Sequence, residues 1–396
     1  MQKRLWGVGA AALALTCLTV TGCGTRNVNS KPNNKHLPVT HMASSHRTER
    51  FTETTKYAPH LNVFNYIDMV NKLNGWSIAN GTSIFVTHNG WRTEQQIKIP
   101  FQWIQPFSFN YYGNYLFLKD YIGSFQYKTF LSNNYGKSWT ISAHPISVPK
   151  GYSFYSASFY GKNGLLDFVR LGNAVYPGLL FSTSNYGQSW AELGKTNYFH
   201  DTLDPHNFPF GGKLYFVSHS TVYMTGFPGA AGPSNIGIYG FLWLFRSSNS
   251  GLTWHHVHII LNPKWKYFFP QITDVSVDAK QTYVIIELYN SNSGTEHEYS
   301  LYKLNESGVA TLLSNHIPKA TQVYFYKNKG FLFNKINGDL YISHDQGEKW
   351  TELYSIPRHL LGMSFTAHKI FGFSHKRIYS SSTSGVQWNI ISKGAL

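Results

Sequence analysis

Three aspartates, Asp68, Asp167 and Asp274, stand in apolar, strand-like stretches of the 396-residue sequence. Two carboxylates facing each other across a cleft about 5–9.5 Å wide are what glycoside hydrolysis requires. The sequence leaves open whether any two converge, because an aspartate near a turn also caps backbone N–H groups. His255-His256-Val257-His258 would put His256 and His258 on one face of a strand, where two imidazoles could hold a metal. No carboxylate or cysteine accompanies them at ligand spacing, and Glu296-His297-Glu298 is a weaker cluster still. No phosphate-binding loop, dinucleotide fingerprint or Gly-x-Ser-x-Gly elbow follows residue 22. The expectation is a chain with no catalytic residue identifiable from sequence, no metal and no cofactor.

The elements that would position these groups announce themselves as a repeat. Five segments share one spacing: Ser132-Asn134-Gly136-Trp139, Thr183-Asn185-Gly187-Trp190, Ser247-Asn249-Gly251-Trp254, Ser343-Asp345-Gly347-Trp350 and Ser381-Thr383-Gly385-Trp388. Each follows a short apolar run, YKTFLS, GLLFST, LWLFRS, DLYIS or RIYSS, and together they hold five of the eleven tryptophans. Two decayed copies complete the series. SIFVTHNGWRTE keeps Thr87 and Asn89 but has Trp91 at the glycine place and Glu94 at the tryptophan place, and SLYKLNESGVAT keeps Gly308 with Thr311 for tryptophan. Upstream of most copies lies a second apolar run that turns and returns, as in IDMVNKLNGWSI, SASFYGKNGLLDF, QVYFYKNKGFLF and GMSFTAHKIFGF. These are short strands joined by Gly/Asn turns, without helical periodicity. A hydroxyl or amide side chain bonds its own turn, glycine takes the φ > 0 position, and tryptophan covers the hairpin.

The pattern resembles the Asp-box, or BNR repeat, of sialidases, xyloglucanases, sortilin-type receptors and photosystem II assembly-factor-like proteins, over about residues 57–396. The resemblance implies an all-β, seven-bladed β-propeller of four-stranded antiparallel blades, with six or eight as neighbouring counts. It also implies boxes on outer turns, away from any ligand channel. Seven units average about 49 residues, the size of a four-stranded blade. The closing strand is expected from one terminus pairing with the other end, near Leu61–Tyr66 and Asn389–Ser392. Sialidases carry an arginine triad and an Arg-Ile-Pro motif. Here the nearest match is Ile97-Lys98-Ile99-Pro100, and lysine lacks the planar fork that grips a carboxylate. Arg92, Arg170, Arg246, Arg358 and Arg377 stand in no recognisable triad setting.

Composition narrows the class. Charged residues are 13%, aromatics 17%, and the formal net charge is +15, so disorder over most of the length is excluded. Lys3 and Arg4, the apolar stretch Leu5–Val20 and Val20-Thr21-Gly22-Cys23 have the layout of a secretory signal. Their ending resembles a bacterial lipobox, which implies cleavage before Cys23 and lipid on its sulfur; a plain secretory signal is the alternative. Residues 1–22 are thus expected as signal peptide, 23–56 as lipidated Cys23 plus a polar tether, and 57–396 as the propeller. Loss of Lys3 and Arg4 would lower the charge to +13, and Cys17, the other of two cysteines, would leave with the signal.

The functional expectation is a lipid-anchored, probably non-catalytic binding or assembly module on the outer face of the bacterial cytoplasmic membrane. Its partner would be a protein or glycan rather than nucleic acid, and it would act as a monomer. The loop Gly226–Gly240, with Phe227 and Tyr239, is the candidate contact. The rival expectation is a glycoside hydrolase, sialidase-like or endo-glycanase-like, using an aspartate pair in the central channel. Asparagine replaces the usual aspartate in three boxes, and an amide keeps its turn bond where a carboxylate would lose it on protonation. That motivates the hypothesis of an acidic milieu, in which all 18 histidines would raise the full-chain charge to +33. Collapse of stability near pH 4 would remove it.

Overall fold

A computed structural model of the chain describes residues 64–79, 83–97, 110–112, 115–123, 125–135, 137–170, 179–193, 212–226, 244–259, 268–278, 281–290, 297–354 and 356–393. All belong to the unit spanning residues 49–396. Strands and turns account for their structure; none of the described residues is helical, and no described helix is long and apolar enough to cross a membrane.

Seven antiparallel sheets follow one another along the chain, over 64–96, 110–147, 152–192, 212–256, 268–314, 322–352 and 362–393, numbered here as blades 1 to 7. In each, four consecutive strands pair in sequence order; blade 2 adds Ile146–Ser147 against its third strand. The first strands touch those of neighbouring blades and surround the axis: Phe64–Met69, Asn110–Tyr112, Tyr152–Tyr160, Gly212–Phe216, Phe268–Asp278, Gln322–Tyr326 and Gly362–Phe365. The chain is a seven-bladed β-propeller.

Its core is divided into seven clusters, each straddling one seam between adjacent blades. The period of two along a strand explains this. In the second strand of blade 5, Val284, Ile286 and Leu288 pack toward blade 4, while Tyr283 and Ile285 pack toward blade 6. Both faces are covered, so the strand reads as an unbroken apolar run rather than an alternation. The fourth strands of blades 1 to 4 and 6 are two residues long. Short edges offer little template for unwanted pairing.

Closure differs from the sequence expectation. The segment beginning at Phe64 is the first strand of blade 1, and Trp388–Lys393 is the fourth strand of blade 7, paired to that blade's own third strand. No strand is exchanged between the ends. Side chains close the circle instead. The Ser364 hydroxyl donates to Asp68 Oδ1 at 2.6 Å, and Met69 N–H donates to Ser364 Oγ at 2.8 Å. Trp91, fully buried, packs with Phe371, Phe373 and Ile378 of blade 7. The tryptophan displaced to the glycine place of the first box therefore fills the one seam that no peptide linker crosses.

Candidate functional site

The first strands share a bonding rule around the axis. Phe216 N–H donates to Ser158 Oγ (3.0 Å), Phe325 N–H to Ser276 Oγ (3.1 Å) and Met69 N–H to Ser364 Oγ (2.8 Å). One step along the strands, Leu214 N–H donates to Ser156 Oγ (3.2 Å), Val323 N–H to Asp274 Oδ2 (2.8 Å) and Met363 N–H to Gln322 Oε1 (3.3 Å). Each acceptor belongs to the blade before the donor's. A buried backbone N–H on an inner edge must find a partner, and a small polar side chain from the neighbouring blade supplies it.

This rule engages most of the carboxylates that could have done chemistry. Asp274 receives Val323 N–H, Asp278 receives Lys327 N–H at 2.7 Å, and Asp68 receives the Ser364 hydroxyl. Asp167 lies on the second strand of blade 3, wholly buried. Asp167 and Asp274 are linked through phenols of blades 3 and 4. Burial and the Asp167 charge raise Tyr155, and burial, Asp274 and Tyr155 raise Tyr215 well above the ordinary phenol range. Burial pushes Asp274 itself up to about 6, against the opposing pull of Val323 N–H, Lys213, Val275 N–H and Lys335. Tyr324 of blade 6, stacked on Phe365 with centroids 5.2 Å apart, is raised to about 12 by burial, then Asp278, Tyr326 and Asp68. The axis is thus lined by neutral phenols and by carboxylates already holding the ring together. Such a surface donates hydrogen bonds at neutral pH and offers one carboxyl, Asp274, that titrates near it.

The other groups lie elsewhere. The His256 and His258 rings meet edge to face, centroids 4.8 Å apart, at the outer rim of blade 4. Among the described residues, no group of three or more metal-ligating side chains occurs. His297 Nδ1 lies 2.8 Å from Glu287 Oε1, which also accepts the Tyr299 hydroxyl at 2.6 Å. The arginines do not assemble: Arg92 is on the first box turn, Arg246 at the seam of blades 4 and 5, Arg358 after blade 6 and Arg377 at the third strand of blade 7. Arg170 ends the second strand of blade 3.

The box residues sit on the turns after the third strands. Gly187, Gly251 and Gly347 N–H donate to the box hydroxyls of Thr183, Ser247 and Ser343 at 2.8–2.9 Å. Those hydroxyls, with Ser132, donate to Asn185, Asn249, Asp345 and Asn134. Each of these acceptors also takes a backbone N–H four residues on, from Ser138, Ser189, Thr253 or Lys349. The asparagines do one thing more: Asn134, Asn185 and Asn249 Nδ2 donate to the hydroxyls of Ser138, Ser189 and Thr253 at 2.8 Å, as Asn89 does to Thr93 at 2.7 Å. Asp345 faces Lys349 in that position. Trp254, Trp350 and Trp388 Nε1 bond the carbonyls of Gly251, Gly347 and Gly385, whereas Trp190 Nε1 reaches Thr129 of the preceding blade and Trp139 packs at the seam of blades 1 and 2. In blade 7 the hydroxyl pair is Ser382–Ser384 at 2.7 Å; Ser381 is buried beside them and Thr383 half-buried. Gly136, Cys23, Phe227 and Tyr239 lie outside the described residues.

No protein-family model matches the chain, and no curated protein matches it in sequence. Solved structures do. The GH74 xyloglucanase from Xanthomonas campestris superposes with a TM-score of 0.50 at 12% identity, covering 84% of this chain and 55% of that one, so this chain spans about half its length. YCF48 from Cyanidioschyzon merolae gives 0.46 at 13% identity over 83% and 98% of the two chains. YCF48 bound to D1 peptide gives 0.38 at 13% over 85% and 83%. At these identities what the chain shares with them is the β-propeller fold.

Proposed function

We propose that this chain is a non-enzymatic binding or assembly module for a protein or glycan, carried on the outer face of a bacterial cytoplasmic membrane by lipid on Cys23. Residues 1–22 act as its signal, 23–56 as its tether and 57–396 as the binding body. The observation that carries the reading is the employment of Asp68, Asp274 and Asp278 as acceptors between or within blades. A hydrolase needs two carboxyl groups free to reach a glycosidic oxygen and a water or anomeric carbon. The loop Gly226–Gly240, with Phe227 and Tyr239, is the proposed contact. Capture of cell-surface partners with the intact chain, and its loss when residues 226–240 are deleted, tests this. Capture unaffected by the deletion rejects the loop, and turnover of a glycoside rejects the class. Labelling of the wild-type chain by an alkyne fatty acid, absent in Cys23→Ser, tests the anchor.

A second reading, glycoside hydrolysis, draws on Asp274, whose carboxyl is held protonatable to about 6 and which interacts with Tyr215. It requires Asp274→Asn to abolish cleavage of some member of a chromogenic glycoside panel. A wild-type chain inactive across the panel removes it.

A further inference from the structure

The seam between blades 4 and 5 is built unlike the others. Blade 5 keeps the box glycine, Gly308, with φ +83°, but places exposed Thr311 where five other turns place tryptophan. A cleft of about 570 Å³ opens beside that turn. Arg246 of blade 4 reaches into it, its Cδ only 2.7 Å from where a Cβ on Gly308 would stand, and its Nη2 donates to Glu306 O at 2.6 Å. His255, His256 and His258 line the same cleft, with Tyr302, Val309, Ala310 and Leu312 forming its less polar side. Val309 and Leu312 are 61% and 46% exposed. No carboxylate side chain is among the lining residues.

We infer that this cleft is a binding site for an acidic, extended peptide segment with apolar residues between its carboxylates. Charge complementarity gives the first part: one guanidinium and three imidazoles converge without a lining acid, on a chain of net +15. The exposed Val309 and Leu312 supply the apolar contacts. The fourth strands His255–His256 and Ala310–Ser314, each paired on one side only within its sheet, border the cleft and favour an extended backbone over a compact ion. Imidazoles as a class gain charge between about pH 5 and 8, so binding tightens on acidification. The charged and titratable groups facing them are Arg246 with Tyr223 from blade 4 and Tyr302 from blade 5, with Glu306 beyond the guanidinium. The inference rests on the binding reading above, but the site is separate from the Gly226–Gly240 loop.

The test is fluorescence anisotropy with the full-length chain and a labelled hexapeptide of alternating glutamate and leucine. Binding is expected at pH 5.5 and to weaken about tenfold at pH 7.5. The double variant His255→Ala/His258→Ala, at two exposed positions, should lose about tenfold at pH 5.5, and Leu312→Glu should lose at least as much by setting an anion against the peptide. Both variants should melt as the wild type does. Equal binding of the glutamine–leucine hexapeptide, affinity independent of pH, affinity unchanged in both variants, or full displacement by 10 mM inorganic phosphate would each overturn the proposal. Such failure leaves partner capture through residues 226–240 untouched, so the two readings fall separately.

Discussion

Replacing Ser364 with alanine tests how the ring is closed. The Ser364 oxygen joins blade 7 to blade 1 twice, accepting Met69 N–H and donating its own hydrogen to Asp68 Oδ1. Alanine deletes a hydrogen bond to a carboxylate, worth about 1.5–3 kcal/mol, and removes one acceptor of a buried N–H. Met69 N–H retains a bond to Asp68 Oδ1 at 2.7 Å, which recovers part of that loss. The net cost is about 2–3 kcal/mol. At an unfolding entropy of about 2.1 cal/mol/K per residue over roughly 330 residues, this lowers Tm by about 3–4 °C. Ser158→Ala and Ser276→Ala remove the equivalent acceptors at seams that the chain itself crosses, at 3.0 and 3.1 Å. All three should fall in Tm, but only Ser364→Ala should speed amide exchange in both blade 1 and blade 7, because no peptide holds those blades together. Differential scanning calorimetry with hydrogen-exchange mass spectrometry reads both quantities. A Tm within 1 °C of wild type, or exchange in blades 1 and 7 no faster than in the controls, would refute side-chain closure.

Further predictions concern the box turns. Burial raises Glu94, in the tryptophan place of the first box, to about 7. A raised carboxyl penalises folding increasingly as the pH climbs from its unfolded value toward 7. Glu94→Gln should therefore stabilise at pH 7.5 by about 1–2 kcal/mol after solvent screening and have little effect below about pH 4. Urea melts at the two pH values check it. Asp345 behaves oppositely: Lys349 N–H and Ser343 hold it below its ordinary value, so its stabilisation is lost as the pH falls through the lowered value. Asp345→Asn with Lys349→Ser, which recreates the amide-to-hydroxyl bond of the other boxes, should flatten the acid limb of a Tm–pH profile. Finally, Gly347→Ala should cost at least about 2 kcal/mol by chemical denaturation and Gly338→Ala about 1. Their φ values are +98° and +85°, but only at Gly347 does a Cβ meet neighbours, Leu301 Cδ2 at 2.5 Å and Phe325 Cζ at 3.0 Å.

The repeat made the blades legible because each box writes a whole turn in local residues, hydroxyl, amide, glycine and indole. Even the decayed first copy placed Trp91 and Glu94 correctly in register, with Trp91 at φ +67° accepting the glycine's task. Ring closure was not legible, since a pairing between Asp68 and Ser364 leaves no local pattern across nearly three hundred residues. The inter-blade acceptors did leave a trace in the alternating small polar residues of Ser156-Ala157-Ser158 and Asp274-Val275-Ser276, which single-strand patterning assigns to turns or solvent. The aspartates were read as free for the same reason: their partners lie on other blades. The blade 4–5 cleft was half written, in the histidine run and in the missing tryptophan at Thr311, but only the seam brings Arg246 to both.

Because every blade completes its own sheet, the circle has no privileged starting point. Circular permutation follows: joining position 393 to 64 through a linker and opening the chain between residues 193 and 212 leaves each set of four paired strands intact. A propeller latched by a strand borrowed from its far end would not survive that cut, whereas here every connection between neighbours is either a peptide segment or a replaceable contact. Such a scaffold tolerates the transfer of its tether to another seam, and with it a change in which rim is turned toward the surface it is tied to.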